Sequence, residues 1–253
     1  MRNILFTLRY DGRAFHGWQI QRNALTVQEA FQEALFATFG ARCDIKACSR
    51  TDAGVHARMF CVSARTESRI PCEKLVAALN ARLPRTIAVT GCREVPEDFH
   101  ARYSALGKRY SYEIWNAPVR DPFREGLATH WPHPIDEKTM LADGLPLMGT
   151  HDFASFQAAG SEVEDTIRTV SGFDVLREGD LVRIVISADG FLYNMVRIIA
   201  GTLLDMQRGR LPHGGMTEII EARGRSAAGF TAPPDGLFLD RVYYPAGIGG
   251  DTM

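Results

Sequence analysis

One short segment holds the densest group of side chains that can do chemistry. Residues 49–58 read Ser-Arg-Thr-Asp-Ala-Gly-Val-His-Ala-Arg and place a single carboxylate, Asp52, among Arg50, His56 and Arg58. Cations within a few ångströms favour the ionised form of a carboxyl group. Asp52 is therefore predicted to be available as a nucleophile or a base. The alternative is structural: a turn in which the aspartate accepts bonds from backbone amides and the arginines are solvated.

Basic and aromatic side chains are interleaved in a second segment. Residues 98–103 read Asp-Phe-His-Ala-Arg-Tyr and include Arg102, and Lys108, Arg109 and Tyr110 follow shortly after. Cations bind phosphates and aromatic rings stack on unpaired bases, so this composition favours a nucleic-acid ligand. The alternative is that the rings belong to the core and the charges form a solvated face.

A third candidate is Arg197, which interrupts an otherwise apolar helix pattern after Phe191. Burying an unpaired arginine is costly, so a buried Arg197 needs a carboxylate partner. Asp52 is one candidate for that partner. Alternatively, the side chain extends its charged end to solvent.

Strands and helices must position these segments, and the hydrophobic pattern predicts where each of them lies along the chain. Thr26-x-x-Glu29 is a capping-box pattern that begins a helix, and Gly40 ends it. The Asp52 segment falls between two predicted strands, 45–48 and 59–64, and is therefore predicted to be a loop on a rigid base. The other predicted elements are strands 4–9, 87–94, 109–115, 166–177, 181–188 and 238–244, and helices 71–83, 136–147, 192–206 and 216–222.

This order predicts an α+β protein. Each half follows a β-α-β-β-α-β plan, which is the split βαβ, or ferredoxin-like, arrangement. A mainly antiparallel mixed sheet flanked by helices is expected, because strands and helices do not alternate one for one. The predicted parts are an N-terminal half, 1–106, with the Asp52 loop, a C-terminal half, 107–245, completing the active-site cleft, and a flexible tail, 246–253.

Composition and charge narrow the classes of function. The 253 residues have a net charge of −1, but the chain carries +7 through Tyr110 and −8 after it. A basic face on an otherwise acidic protein is enough to bind phosphates. The sequence lacks the roughly 20 uninterrupted apolar residues of a membrane helix and the apolar region of a signal peptide. We therefore expect a cytoplasmic protein that is not attached to a membrane.

Metal and cofactor sites are not expected. The five cysteines include no Cys-x-x-Cys pair, and the histidines lack ligand spacing, so reduced thiols acting as small hydrophobic groups are the favoured interpretation. No glycine pattern for a nucleotide cofactor occurs.

Residues Arg50–His56 closely resemble the catalytic-loop motif of the tRNA pseudouridine synthase A family. Ser49 stands where a glycine often precedes that motif, a small-residue exchange that leaves the resemblance intact. Other blocks are similar in the same order along nearly the whole chain: Tyr10–Gly12, Gly17–Gln19, Phe99–Arg102, Ser104–Tyr112, His151–Phe156, Phe191–Arg197 and Gly236–Leu239.

The resemblance implies a role for several residues. Asp52 corresponds to the essential aspartate, and Arg50 to the residue that displaces and holds the target nucleotide. Tyr110 corresponds to the ring that stacks on the target uracil, and Arg197 to the arginine that pairs with the catalytic carboxylate. Leu237 or Leu239 would belong to the apolar wall of the uracil pocket, and the remaining residues expected to bind substrate are His56, Arg58, Arg102, Lys108 and Arg109.

The resemblance also implies a reaction, a substrate and an assembly. Uridine becomes pseudouridine in the anticodon stem-loop of tRNA, at positions 38, 39 and 40, and the enzyme is a homodimer that binds tRNA across both subunits. The reaction needs no redox partner or group donor, so no cofactor is expected.

Three alternatives remain open. The first alternative is a pseudouridine synthase of the same fold that acts on other RNA sites, the second is a non-catalytic RNA-binding protein, and the third is a glycosidase-like hydrolase. Glycosidases normally use two positioned carboxylates, whereas the loop offers only Asp52.

Overall fold

The computed structural model describes residues 1–161 and 163–248, which contain ten strands and five α-helices. They form two compact units. One consists of Met1–Leu106 with the segment from Phe238, and the other of Gly107–Leu237. The predicted α+β class with mainly antiparallel strands is confirmed.

The first unit contains the ferredoxin-like arrangement expected for the N-terminal half. In spatial order, its strands are β4 (Ile87–Val95), β1 (Arg2–Tyr10), β3 (His56–Thr66) and β2 (Ile45–Ala47). All three pairings are antiparallel. The closing strand of the chain, β10 (Leu237–Tyr243), runs parallel to β3, with Phe238 opposite His56. The α-helices of this unit are α1 (Val27–Phe39) and α2 (Cys72–Asn80).

Helix α1 begins and ends where the capping pattern predicts. The Thr26 hydroxyl accepts a hydrogen bond from the backbone N–H of Glu29 at 3.3 Å. Gly40 adopts φ +73°, a left-handed conformation in which glycine carries no steric cost. The buried face of the helix includes Phe31, which meets the ring of Phe6 on β1 edge-on at 5.6 Å.

In spatial order, the main strands of the second unit are β5 (Gly107–Trp115), β9 (Leu181–Ala188), β8 (Ile167–Glu178) and β7 (Gly149–Asp152), and their pairings are antiparallel. The short strand β6 (Thr129–His130) pairs with β5 in parallel. Gly179, at φ +60°, turns the predicted hairpin between β8 and β9. The α-helices of this unit are α3 (Glu137–Gly144), α4 (Met195–Gln207) and α5 (Met216–Glu221).

Several predicted boundaries in the second unit were wrong. Helix α3 ends at Gly144, because Pro146 lacks the N–H that a continuing helix needs and the chain forms a 3-10 turn. Helix α4 begins at Met195, three residues later than predicted, because Asn194 adopts a left-handed φ of 59°. Strands β6 and β7 were not predicted, since two to four residues are too short to show alternation.

Two other expectations concern the whole chain. In the stretches 1–161 and 163–248, no helix is both long and apolar enough to cross a membrane. The functional division into 1–106 and 107–245 stays a prediction. Of the expected tail, 246–253, residues 249–253 lie outside the described part of the chain.

Candidate active site

Asp52 lies in the loop between β2 and β3, as predicted. Its side chain is half-buried, while Arg50 is exposed. The backbone N–H of Val55 donates to the Asp52 carbonyl at 3.2 Å, and Gly54 adopts φ +79°. The loop is therefore a tight turn that depends on a glycine, as the sequence indicated.

A second loop, residues 11–18, supports the Asp52 loop from the side. The backbone N–H of Trp18 donates to the Thr51 carbonyl at 3.0 Å, and that of Gly54 donates to the Phe15 carbonyl at 3.3 Å. The indole of Trp18 is buried and stacks on Phe60 at 4.3 Å. Backbone bonds on both sides of Asp52 therefore fix the path of the loop.

Two glycines make this close approach possible. A Cβ atom on Gly12 would lie 2.1 Å from the carbonyl oxygen of Val55, and one on Gly17 would lie 2.5 Å from that of Thr51. Gly17 also adopts φ +82°. No other residue fits at Gly12 without moving the backbone of the Asp52 loop.

A buried hydrogen bond holds the residue next to Asp52. The Tyr10 hydroxyl and Thr51 Oγ1 are 2.8 Å apart, and both side chains are buried. Buried polar groups are costly unless they are hydrogen-bonded. This bond therefore holds Thr51 against Tyr10, the last residue of β1.

His56 is a buried residue at the start of β3, with 1% of its surface exposed. Its Nδ1 accepts a hydrogen bond from the backbone N–H of Gly12 at 3.0 Å, and its ring stacks on Phe238 at 4.6 Å. An accepting Nδ1 places the proton of the neutral ring on Nε2. These contacts support the loop, and contact between His56 and substrate stays a prediction.

The carboxylate of Asp11 lies 3.4 Å from His56 Nδ1. Burial alone would raise the pKa of Asp11, but hydrogen bonds from the side chain and backbone of Arg13 outweigh it. The pKa of Asp11 is therefore below its ordinary value, and the group is ionised.

Arg58 also has partners inside the first unit. Its Nη1 is 2.7 Å from Asp240 Oδ1, and its guanidinium lies 3.8 Å from the centre of the Phe238 ring. Both partners belong to β10, so Arg58 ties that strand to β3. Its predicted contact with substrate stays a prediction.

Residues 98–103 divide between core and surface. Phe99 is buried against Tyr244 at 5.2 Å, and the Tyr244 hydroxyl donates to the Ala101 carbonyl at 2.6 Å. Tyr103 is 78% exposed, and Arg102 is exposed beside it. The core interpretation therefore holds for Phe99, while Arg102 and Tyr103 remain accessible to a ligand.

His100 fixes the turn between those two parts. Its Nδ1 accepts the backbone N–H groups of Arg102 at 3.1 Å and Tyr103 at 3.3 Å, and its ring lies 4.3 Å from that of Tyr103. Burial, and then the positive charge of Lys46, hold the pKa of His100 below its ordinary value.

In the second unit, the β5 residues show graded exposure. Tyr110 is 6% exposed and meets Phe191 edge-on at 4.9 Å. Arg109 is exposed and donates from Nε to Ser187 Oγ at 3.3 Å, and Lys108 is half-buried. Leu237, predicted for the uracil pocket, is also buried.

Arg197 is half-buried in the first turn of α4 and is held by a neighbouring segment of the same unit. Its Nε donates to the Ala232 carbonyl at 2.7 Å, and its Nη1 donates to Asn194 Oδ1 at 2.8 Å. The Ala232 N–H donates to the Arg197 carbonyl at 3.0 Å. The half-buried side chain is thus held by hydrogen bonds within the unit, and pairing with Asp52 stays a prediction.

The five cysteines are free thiols, and burial raises the pKa of Cys61. Over residues 1–161 and 163–248, no group of three or more His, Cys, Asp or Glu side chains is placed to hold a metal ion.

The sequence showed the candidate catalytic and binding residues, but it gave no role to the residues that support them in the fold. Tyr10, Gly12 and Gly17 were noted as part of a resemblance without a role. The spacing of two glycines just after a strand was the available signal for a close backbone approach. Asn194 was likewise noted only inside the resembling block Phe191–Arg197, and nothing in the sequence pointed to Ala232, because each acts through contacts formed only in the fold.

Comparison with known proteins identifies the family of this chain. The family model for tRNA pseudouridine synthase matches residues 7–104 and 146–245. A tRNA pseudouridine synthase A of Ruminiclostridium cellulolyticum is 44% identical over 245 residues, covering 96% of this chain and 100% of that protein. The protein of that name from Thermoanaerobacter sp. (strain X514) is 43% identical over 244 residues, with coverage of 96% and 100%.

Among solved structures, a Cbf5-Nop10-Gar1 complex matches with 13% identity and a TM-score of 0.35, covering 96% of this chain and 58% of that chain. That likeness is too low to bear on function, so the assignment rests on the sequence relatives. With a family model matching most of its length and full-length relatives at 43% and 44% identity, this chain belongs to the tRNA pseudouridine synthase family.

Proposed function

We propose that this chain isomerises uridine to pseudouridine in tRNA, with Asp52 as the catalytic carboxylate. The observation that carries the proposal is the family match along most of the chain together with an intact Arg50–His56 motif. The support of Asp52 by backbone bonds on both sides is consistent with a group that must be held precisely.

The reaction breaks the bond between N1 of uracil and C1′ of ribose, rotates the base and joins C5 to C1′. The hydrogen on C5 is lost and N1 gains one, so there is no net redox change. Asp52 can act by attack on the ribose, by attack on the ring or by removal of a ribose proton. All three routes require an ionised, positioned carboxylate.

The other site residues have roles in presenting the base. The target nucleotide must leave its stack, at a cost of a few kcal/mol. We propose that Arg50 holds the displaced nucleotide, Tyr110 stacks on the uracil and Leu237 contributes an apolar wall. Arg197 is proposed to pair with Asp52 and keep it ionised. Arg102, Lys108 and Arg109 are proposed to bind phosphates.

The proposed target is the anticodon stem-loop, at positions 38, 39 and 40, and the proposed assembly is a cytoplasmic homodimer. The support for these finer statements is the family resemblance. Sedimentation equilibrium of the chain with and without tRNA tests the dimer, and a monomeric species in the active complex would contradict it.

The first test is tritium release from tRNA transcripts labelled with [5-³H]uridine, comparing wild type with Asp52→Asn. Wild type is expected to release tritium, and Asp52→Asn, which keeps the size of the side chain but removes its charge, is expected to release none. Unchanged circular dichroism and tRNA binding of the variant would show that only chemistry was lost.

Three outcomes would redirect the proposal. Release from uridines outside the anticodon stem-loop would favour a synthase acting on other RNA sites. Binding without any release by wild type would favour a non-catalytic RNA-binding protein, and free uracil as product would favour a hydrolase.

A further inference from the structure

We infer that Asn194 is a positioning residue that orients the guanidinium of Arg197 for the proposed reaction. The inference rests on the proposed function, in which Arg197 serves Asp52. Its structural basis is the hydrogen bond of 2.8 Å from Arg197 Nη1 to Asn194 Oδ1.

The backbone at Asn194 is in a conformation that favours glycine. Its φ of 59° and ψ of 11° lie in the left-handed region, and Arg223, at φ 48°, is the only other non-glycine residue with positive φ within residues 1–161 and 163–248. Asparagine tolerates this region better than most residues, but glycine has no steric cost there. Backbone geometry alone therefore does not explain a side chain at this position.

Helix capping does not explain the side chain either. Asn194 is the residue before the first turn of α4, where Asn commonly accepts a backbone N–H. Its side chain makes no such capping bond, and its carbonyl accepts the Ile198 N–H at 3.0 Å as any residue could. The bond that its side chain does make is to Arg197.

A second contact completes the hold on Arg197. Its Nε donates to the Ala232 carbonyl at 2.7 Å. A guanidinium is planar, so bonds at Nε and Nη1 fix both its plane and its rotation. The position of Nη2 is then determined by Asn194 and Ala232 together.

The segment that contains Ala232 is itself firmly held. The Tyr112 hydroxyl donates to the Pro233 carbonyl at 2.8 Å. A Cβ atom on Gly201 of α4 would lie 1.8 Å from the Phe230 carbonyl oxygen, so helix and segment are in direct backbone contact. Asn194 is thus a side-chain partner of Arg197, whereas Ala232 is a partner fixed by backbone packing.

The test compares Asn194→Gly, which removes the acceptor and relieves the backbone, with Asn194→Asp, which keeps an acceptor oxygen. Misplacing a catalytic group by about 1 Å costs up to about a hundredfold in rate. We expect Asn194→Gly to lower kcat by roughly ten- to a hundredfold with KM changed less than about twofold and Tm unchanged or higher. Asn194→Asp is expected to keep most of kcat.

Arg223→Gly is the matched control, since it relieves the same kind of backbone strain at a residue whose side chain is exposed and ion-paired to Asp152 at 3.4 Å. Its kcat is expected to equal that of wild type. A wild-type kcat in Asn194→Gly, or an equal loss in Asn194→Gly and Asn194→Asp, would overturn the inference.

A double-variant measurement separates positioning from a general effect on the fold. In an Arg197→Lys background the bond from Nη1 no longer exists, so adding Asn194→Gly is expected to lower kcat by less than twofold. A loss as large as in the wild-type background would show that Asn194 does not act through Arg197.

A readout independent of catalysis distinguishes this inference from the proposed function. We expect the Arg197 Nη1–H signals in ¹⁵N NMR spectra to exchange slowly with water in wild type and Asn194→Asp, where Nη1 has an acceptor at position 194, and faster in Asn194→Gly. An inactive wild type with this pattern would overturn the proposed function alone, whereas equal exchange in all three would overturn the orienting role of Asn194.

Discussion

At the scale of residues, the cations around Asp52 have separate environments. The sequence groups Arg50, His56 and Arg58 near one carboxylate. In the fold, His56 is buried under the loop with Nδ1 bonded to the backbone, and Arg58 is ion-paired to Asp240. Arg50 is the exposed member of the group. Of the three, Arg50 is therefore the most accessible to a ligand, while the contacts of the other two stabilise the base of the loop.

The interleaved aromatic residues separate in the same way. Phe99 packs in the core of the first unit, and Tyr103 is on its surface with Arg102. His100 joins the two through backbone hydrogen bonds to its Nδ1. The surface presented to a ligand at this point thus depends on a histidine that must be unprotonated at Nδ1.

The first prediction concerns the pH dependence of stability at His100. Its pKa in the folded protein lies below the value of 6.5 expected for an unfolded chain. The folded state then binds fewer protons than the unfolded state, so the contribution of His100 is complete above about pH 6.5 and is lost as the pH falls through that value. Tm is expected to fall more steeply in wild type than in His100→Asn between about pH 7.5 and 5.5.

Asn is the appropriate replacement, because its side-chain oxygen can accept the same two backbone N–H groups without titrating. Equal slopes of Tm against pH in the two proteins would contradict the prediction.

At the scale of elements, the path of the Asp52 loop is set by a neighbouring loop rather than by its own sequence. Backbone bonds from Trp18 to Thr51 and from Gly54 to Phe15 join the two loops. Gly12 and Gly17 allow the backbones to approach so closely. The N-terminal loop is thus part of the candidate site although it supplies none of the predicted catalytic side chains.

The second prediction follows from that approach. Gly12→Ala would place a methyl group 2.1 Å from the Val55 carbonyl oxygen, so the Asp52 loop must move. We expect kcat to fall by roughly tenfold or more, since displacing a catalytic group by about 1 Å has effects of this size. The measurement is tritium release under saturating tRNA.

Gly91→Ala in β4 is the control, because its added Cβ would lie 3.6 Å from Thr7, an ordinary contact. Gly12→Ala with the activity of the Gly91→Ala variant would show that the contact does not set the loop.

At the scale of the whole molecule, positive and negative charges are unevenly distributed along the chain. The chain carries +7 through Tyr110 and −8 after it, for a total of −1. Total charge therefore says little about binding, whereas exposed cations such as Arg50 and Arg102 can attract phosphates locally.

The third prediction is a steep salt dependence of tRNA binding. Each neutralised phosphate releases counterions, so the dissociation constant is expected to rise by roughly a hundredfold between about 50 and 200 mM salt for about four phosphate contacts. Filter binding or fluorescence anisotropy measures this. Arg102→Ala is expected to reduce the slope of log Kd against log salt by about one. A flat response in wild type would count against a polyanionic ligand.

Local patterns determined much of the architecture. The capping box at Thr26 and the glycine at the end of α1 act over a few residues, and the helix formed where they predict it. The same holds for the β-α-β-β-α-β order of the first unit and for the Asp52 loop between two strands. Each depends on neighbours in sequence, which a single sequence displays.

Tertiary structure decided the environment of each functional group. Whether a cation near Asp52 is buried, paired or exposed depends on residues such as Asp240, distant in sequence. The direction of Arg197 depends on Ala232, 35 residues away, and on a left-handed Asn194 that also delays the start of α4. Such contacts form only when separate segments pack together, so the sequence determined which residues are candidates, and the packed chain set their positions.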